Sequence, residues 1–207
     1  MSRVNEMTYT KRILATAPLC FLAVCVTASY ASPITTTDQQ NTVGGTTNSG
    51  NTGFGQSFMP TLSSIGAAEF SLSGAAATVG LTLYSGSGTG GAVLGTSGPV
   101  VIGTTGFGTV HFDFASAISL TPGNLYTLFV RTSAGTIGEN FSTDNPYSRG
   151  MAFNFDGTAS PIVDVVFSEG TTTVVTSAAP EASTWLLVAG SLVGLGLWNR
   201  SGGRRRR

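Results

Sequence analysis

With 207 residues, 10 basic against 10 acidic side chains and a single histidine, the chain is long enough for one modest domain and has a formal charge of zero. That zero sums unlike parts: between Ser32 and Ala179 two arginines, Arg131 and Arg149, stand against eight acids with no lysine, a balance of about −6 (two minus eight) that argues against nucleic-acid or anionic-lipid binding. The cysteines, Cys20 and Cys25, both fall in the first 31 residues, so the rest of the chain has no disulfide framework, thiol nucleophile or thiolate metal site.

Lys11-Arg12 precede an apolar stretch from Ile13 to Ala28 that ends in small residues at Ser29 and Ala31. Basic region, apolar core and small-residue cleavage site make residues 1–31 a secretory signal peptide, cut by signal peptidase after Ala31. Ser32–Gly53 is polar with hardly a large apolar side chain, and is expected to be a flexible lead-in.

From Phe54 to Glu169 the apolar period is two rather than 3.6. Val79, Leu81 and Leu83 alternate with Gly80 and Thr82; Val110, Phe112 and Phe114 with His111 and Asp113; Tyr126, Leu128 and Val130 with Thr127, Phe129 and Arg131. Met151, Phe153 and Phe155 alternate with Ala152 and Asn154, and Val163, Val165 and Phe167 with Asp164, Val166 and Ser168. Turn chemistry separates the runs at Gly86–Gly91, Thr121–Asn124, Asp144–Pro146 and Asp156–Gly157. Short alternating strands with glycine-rich turns predict an all-β fold, an antiparallel two-sheet sandwich of jelly-roll-like form over residues 54–169. The apolar side of each strand is expected to face the core, so Phe112 and Phe153 point inward and Thr127 outward. Residues 170–179 are expected to be a polar linker.

Gln56-Ser57-Phe58 opening this region, Leu120–Leu128 before a late strand and Asp164–Phe167 closing it resemble the "choice-of-anchor" group of bacterial domains. That resemblance implies an exported surface protein and brings no catalytic residues with it.

Chemistry-bearing residues are sparse. His111 is the single histidine, on a strand whose neighbours Val110 and Phe112 should point inward, and no GxSxG nucleophile elbow occurs. One histidine and no late cysteine leave too few ligands for a zinc site, no EF-hand loop is present, and no cofactor is expected. Glu69, Glu139 and Glu169 could supply a carboxylate pair for glycoside hydrolysis, yet eight scattered acids read better as solvated surface charge. Asp144, Tyr147, Arg149 and Asp156 form a candidate ligand-binding group, in which ring stacking and charge-assisted hydrogen bonds could hold a sugar. The expectation is a non-enzymatic surface protein; the alternative is a carbohydrate-binding or weakly carbohydrate-active one.

The chain closes with Pro180-Glu181-Ala182-Ser183, an apolar run over 184–198, and a basic end containing Arg204, Arg205, Arg206 and Arg207. Fifteen residues make roughly 22 Å of helix, short for a bilayer core, with Trp185 and Trp198 bracketing the run at the two interfaces. The arginines act as a stop and keep that end in the cytoplasm. Residues 180–207 resemble the PEP-CTERM sorting signal of Gram-negative bacteria, with Ala182 where a second proline is usual. The resemblance implies processing by exosortase near Pro180–Ala182, transient inner-membrane insertion, and delivery to the cell surface or an exopolysaccharide-containing matrix.

Overall fold

The computed structural model describes residues 32–103 and 105–173. Among them are fourteen strands and no helix, arranged in two antiparallel seven-stranded sheets, as the period of two predicts. The two segments expected to be terminal signals, including Pro180, Glu181, Ala182, Trp185, Trp198 and Arg204–Arg207, lie outside the described residues.

Sheet A is organised around β4 (Ser64–Ser73). β8 (Gly108–Ser119) pairs along one edge of β4, while β14 (Phe167–Thr172) and β10 (Ile137–Ser142) follow one another along the other. β1 (Ile34–Asn41) pairs with β14, β2 (Thr46–Asn51) with β10, and the short β13 (Asp164–Val165) also joins β10. In sheet B the central β9 (Tyr126–Ala134) lies between β3 (Gly53–Phe58) and β5 (Ala77–Ser85). β11 (Ala152–Phe153) and β12 (Ala159–Ser160) extend the sheet beyond β3, and β6 (Val93–Thr96) and β7 (Val100–Ile102) share the far edge of β5.

The two sheets bury one apolar cluster. Phe54 and Phe58 of β3, Val79, Leu81 and Leu83 of β5, and Leu128 and Val130 of β9 meet Phe70 and Leu72 of β4, Phe112 of β8 and Phe167 of β14. Phe70 is the hub. Its ring meets Phe54 and Phe112 edge-on at 5.6 and 6.2 Å and stacks on Phe167 at 6.3 Å. Such aromatic pairs add about 0.5–1.5 kcal/mol each beyond the area they bury.

Three expectations need correction. Ser32–Gly53 is not a loose lead-in, because it contains β1 and β2, and the domain starts there rather than at Phe54. The composition was misleading since strand pairing uses main-chain groups, which polar residues such as Gln39 and Asn41 supply as well as valine does. At the other end, Gly170–Thr172, assigned to the linker, complete β14.

The second correction concerns Met151–Phe155, where the alternation holds but its phase is shifted by one residue. Ala152 pairs with Gln56 on the inner face of β3, while Phe153 pairs with Gly55 on its outer face and Phe155 is exposed. A one-residue slip of phase exchanges the two faces of a strand.

The third is β9, buried on both faces from Tyr126 to Val130. The Phe129 ring lies against β3, where a Cβ at Gly55 would stand only 2.7 Å from Phe129 Cδ2, so glycine is what admits it. The Arg131 guanidinium lies over the ring, 4.8 Å from its centre. Thr127 is covered by the Gly86–Gly91 turn: its hydroxyl donates to the Gly86 carbonyl and accepts from the Gly88 amide, both at 2.8 Å.

Candidate functional site

The four loop residues expected to grip a ligand do not form one surface. Tyr147 is buried, its ring packed edge-on against Phe167 at 5.3 Å. Its hydroxyl donates to Gln39 Oε1 at 3.0 Å and accepts from the Met59 amide, and burial pushes its pKa up to about 12. No face of that ring is left for a sugar. Asp144 and Arg149 are exposed. Asp156 closes its own turn by accepting the Thr158 amide at 2.9 Å, which lowers its pKa. The tyrosine's place follows from the apolar demand of the core beside β14, a long-range packing effect that turn composition does not reveal.

Nor are the acids all solvated, since Glu139, Asp164 and Glu169 are buried. Glu139 takes two 2.7 Å bonds from Asn51 Nδ2 and one from Asn48, yet burial still raises its pKa. Asp164 ties the sheets together: Gln56 Nε2 of β3 donates to one oxygen at 2.8 Å and the Tyr147 amide to the other at 2.9 Å. Gln56 Oε1 in turn accepts the Val165 amide. Burial raises the Asp164 pKa against these two donors. Glu169 is fully enclosed and neither carboxyl oxygen has a hydrogen-bond partner. Burial and the nearby Asp38 charge push its pKa up to about 8; the Gln39 backbone amide, close to the carboxyl but outside hydrogen-bond geometry, offsets only part of the rise. One signal in the sequence points to it: the inward positions Val165 and Phe167, continued by two, arrive at Glu169.

The outer face of sheet A carries a cluster of acid, histidine and serine side chains that the strands assemble. Glu69 of β4 and His111 of β8 are directly opposed, with Glu69 Oε1 3.0 Å from His111 Nδ1. Two residues along β8, Asp113 Oδ1 lies 3.1 Å from His111 Nε2. Two carboxylate acceptors require two N–H donors, so the ring is satisfied as imidazolium. Burial alone would lower the His111 pKa; the hydrogen bonds and charges of Glu69 and Asp113 outweigh it and the net shift is upward. Ser168 of β14 donates its hydroxyl to Glu69 Oε2 at 3.2 Å, and the Ser32 backbone nitrogen donates to Asp113 Oδ2 at 3.2 Å.

This arrangement is not a nucleophile–base pair, because Ser168 is bonded to Glu69 and not to the ring. Both ring nitrogens are engaged by carboxylates, and among the described residues no three His, Cys, Asp or Glu side chains are set to ligate one ion. Hydrogen bonding and charge matching are what the arrangement can do. The sequence showed His111 and Asp113 on one strand face, but Glu69 joined them only through the β4–β8 register. The chain matches no protein-family model, and a search of curated proteins finds no relative.

Proposed function

We propose that the chain is a non-enzymatic exported protein of the cell surface or extracellular matrix, freed from its leader by signal peptidase and sorted by exosortase through residues 180–207. The observation that carries this reading is the pair of apolar signals enclosing a lysine-free all-β body: a basic-apolar-small leader on one side, Pro-Glu-Ala, apolar run and arginines on the other. The body suits the task. β1 and β14 are antiparallel neighbours with Ile34 opposite Thr172, so the head of the first described strand and the tail of the last, from which the two signal segments continue, lie side by side. Within this reading the sheets form a jelly-roll-like sandwich of the choice-of-anchor kind, supported by a chain that keeps crossing between them: β2 to β3, β3 to β4, β8 to β9 and β9 to β10 each change sheet.

Exopolysaccharide is the matrix partner this location implies. The carbohydrate-binding alternative loses its loop site with Tyr147 buried, and no other observation favours it. The experiment is expression in a Gram-negative host with and without exosortase, followed by intact-mass measurement. The expected mature species begins at Ser32 and, only in the presence of exosortase, lacks the tail beyond about Ala182. A species that keeps Trp185–Arg207 in the exosortase host would refute the sorting step.

A further inference from the structure

Ser32, two residues ahead of β1, turns back over sheet A. Its nitrogen reaches Asp113 of β8, although β14 and β4 lie between β1 and β8 in the sheet. It is also the first residue after the expected Ala31 cut. Before cleavage that nitrogen is a peptide amide; afterwards it is an ammonium with a full positive charge.

The cluster it meets is short of one positive charge. Glu69 and Asp113 supply two negative charges and His111 at most one positive. β14 adds only the neutral Ser168 on this side, and on β1 Asp38 is occupied by the Thr61 and Leu62 amides at 2.8 and 2.9 Å. We propose that removal of residues 1–31 creates an α-ammonium on Ser32 that docks on Asp113. It completes a charge-neutral row, Ser168–Glu69–His111–Asp113–Ser32, so that the maturation cut also fastens the head of β1 to sheet A. A charge-assisted bond is shorter and stronger than the neutral amide bond it replaces. The proposal rests on the export reading above, specifically on the position of the first cut.

The chain offers an unusual probe. Lys11 is its single lysine, so once the leader is gone the Ser32 α-amine is the one primary amine left. The mature protein, purified from the exporting host, is first sequenced from its N-terminus. The pH–rate profile of acetic-anhydride acylation is then followed by mass. An ordinary α-amino group titrates at roughly 7.7–8.0. The docked amine should titrate about one pH unit higher, making it about tenfold less reactive at neutral pH. The shift should vanish in Asp113→Asn, with the fold checked by circular dichroism, and in the unaltered protein unfolded in urea. That unfolded reference keeps the test decisive even if the variant does not fold. A first residue other than Ser32 overturns the cut and the docking together. Ser32 at the N-terminus with the same midpoint folded and unfolded overturns the docking alone and leaves the export reading standing.

Discussion

The two sheets treat polarity in opposite ways. Sheet B hides apolar groups on both sides: its inner face packs Phe54, Phe58, Leu81 and Leu128, and its outer face buries Phe129 and Phe153 under the Gly86–Gly91 turn, Arg131 and the glycines of β3. Sheet A carries ionisable groups on both sides, with Glu139 and Glu169 buried and Glu69, His111 and Asp113 arrayed outside. Alternation tells which residues share a face. Whether that face is covered depends on what the rest of the chain lays over it. In sheet B a glycine-rich turn does the covering, because residues without side chains allow backbone to lie close on the sheet.

The comparison breaks most visibly at Phe129. If the outer face of sheet B is a second packed layer, Phe129→Ala should cost about 3–5 kcal/mol, as much as Phe112→Ala in the central cluster. A domain of this size has only about 5–15 kcal/mol of stability, so both variants should be close to unfolded. Urea midpoints measure this, and a near-neutral Phe129→Ala would mean that the outer face is solvated after all.

Glu169 gives the next largest effect and sharpens the contrast from sheet A. A carboxyl whose folded pKa stands above its unfolded one supports the fold while protonated. Its contribution is complete below its ordinary value of 4.5 and is lost as the pH rises through about 8. The unaltered protein should therefore weaken across that window. Glu169→Gln, neutral at every pH, should flatten the decline to the slopes left by Glu139, Asp164 and His111, whose folded pKa values are also raised. At pH values above 8 the variant should be the more stable, on the order of a few kcal/mol. Parallel stability–pH curves for the two proteins would show that Glu169 is not enclosed as described.

Much of the sandwich was legible from sequence because period two is a local property. Val79–Leu83, Val110–Phe114 and Val163–Phe167 each put their apolar residues in the core or against it. What escaped notice was set by long-range pairing. Nothing in Ile34–Asn41 announces a strand until Phe167–Thr172 pairs with it, and the phase of Met151–Phe155 is fixed by Gln56 and Gly55, roughly a hundred residues earlier. The candidate site divides the same way. His111 and Asp113 were adjacent by spacing, whereas Glu69, Ser168 and Ser32 reached them through register alone. Tyr147 was misplaced because a tyrosine in a polar turn looks like a surface residue until its hydroxyl is given Gln39 as a buried acceptor.

Thr127 tests the smallest part of the comparison, the polar seam by which the covering turn is held. From alternation it is a solvent-facing threonine, and Thr127→Ala should then stay within about 0.5 kcal/mol. In the structure it is fully buried, and its hydroxyl is both donor to Gly86 and acceptor for Gly88. Removing it leaves a carbonyl and an amide without partners beneath the turn, a loss of about 1–3 kcal/mol. Thr127→Ser keeps the hydroxyl and should recover most of that loss, less about 0.8 kcal/mol for the missing methyl group. Thr127→Val keeps the shape and loses the bonds, so it should fall with alanine rather than with serine. If valine matched the unaltered protein, packing alone would hold the turn, and the difference between the sheets would owe nothing to this pair of hydrogen bonds.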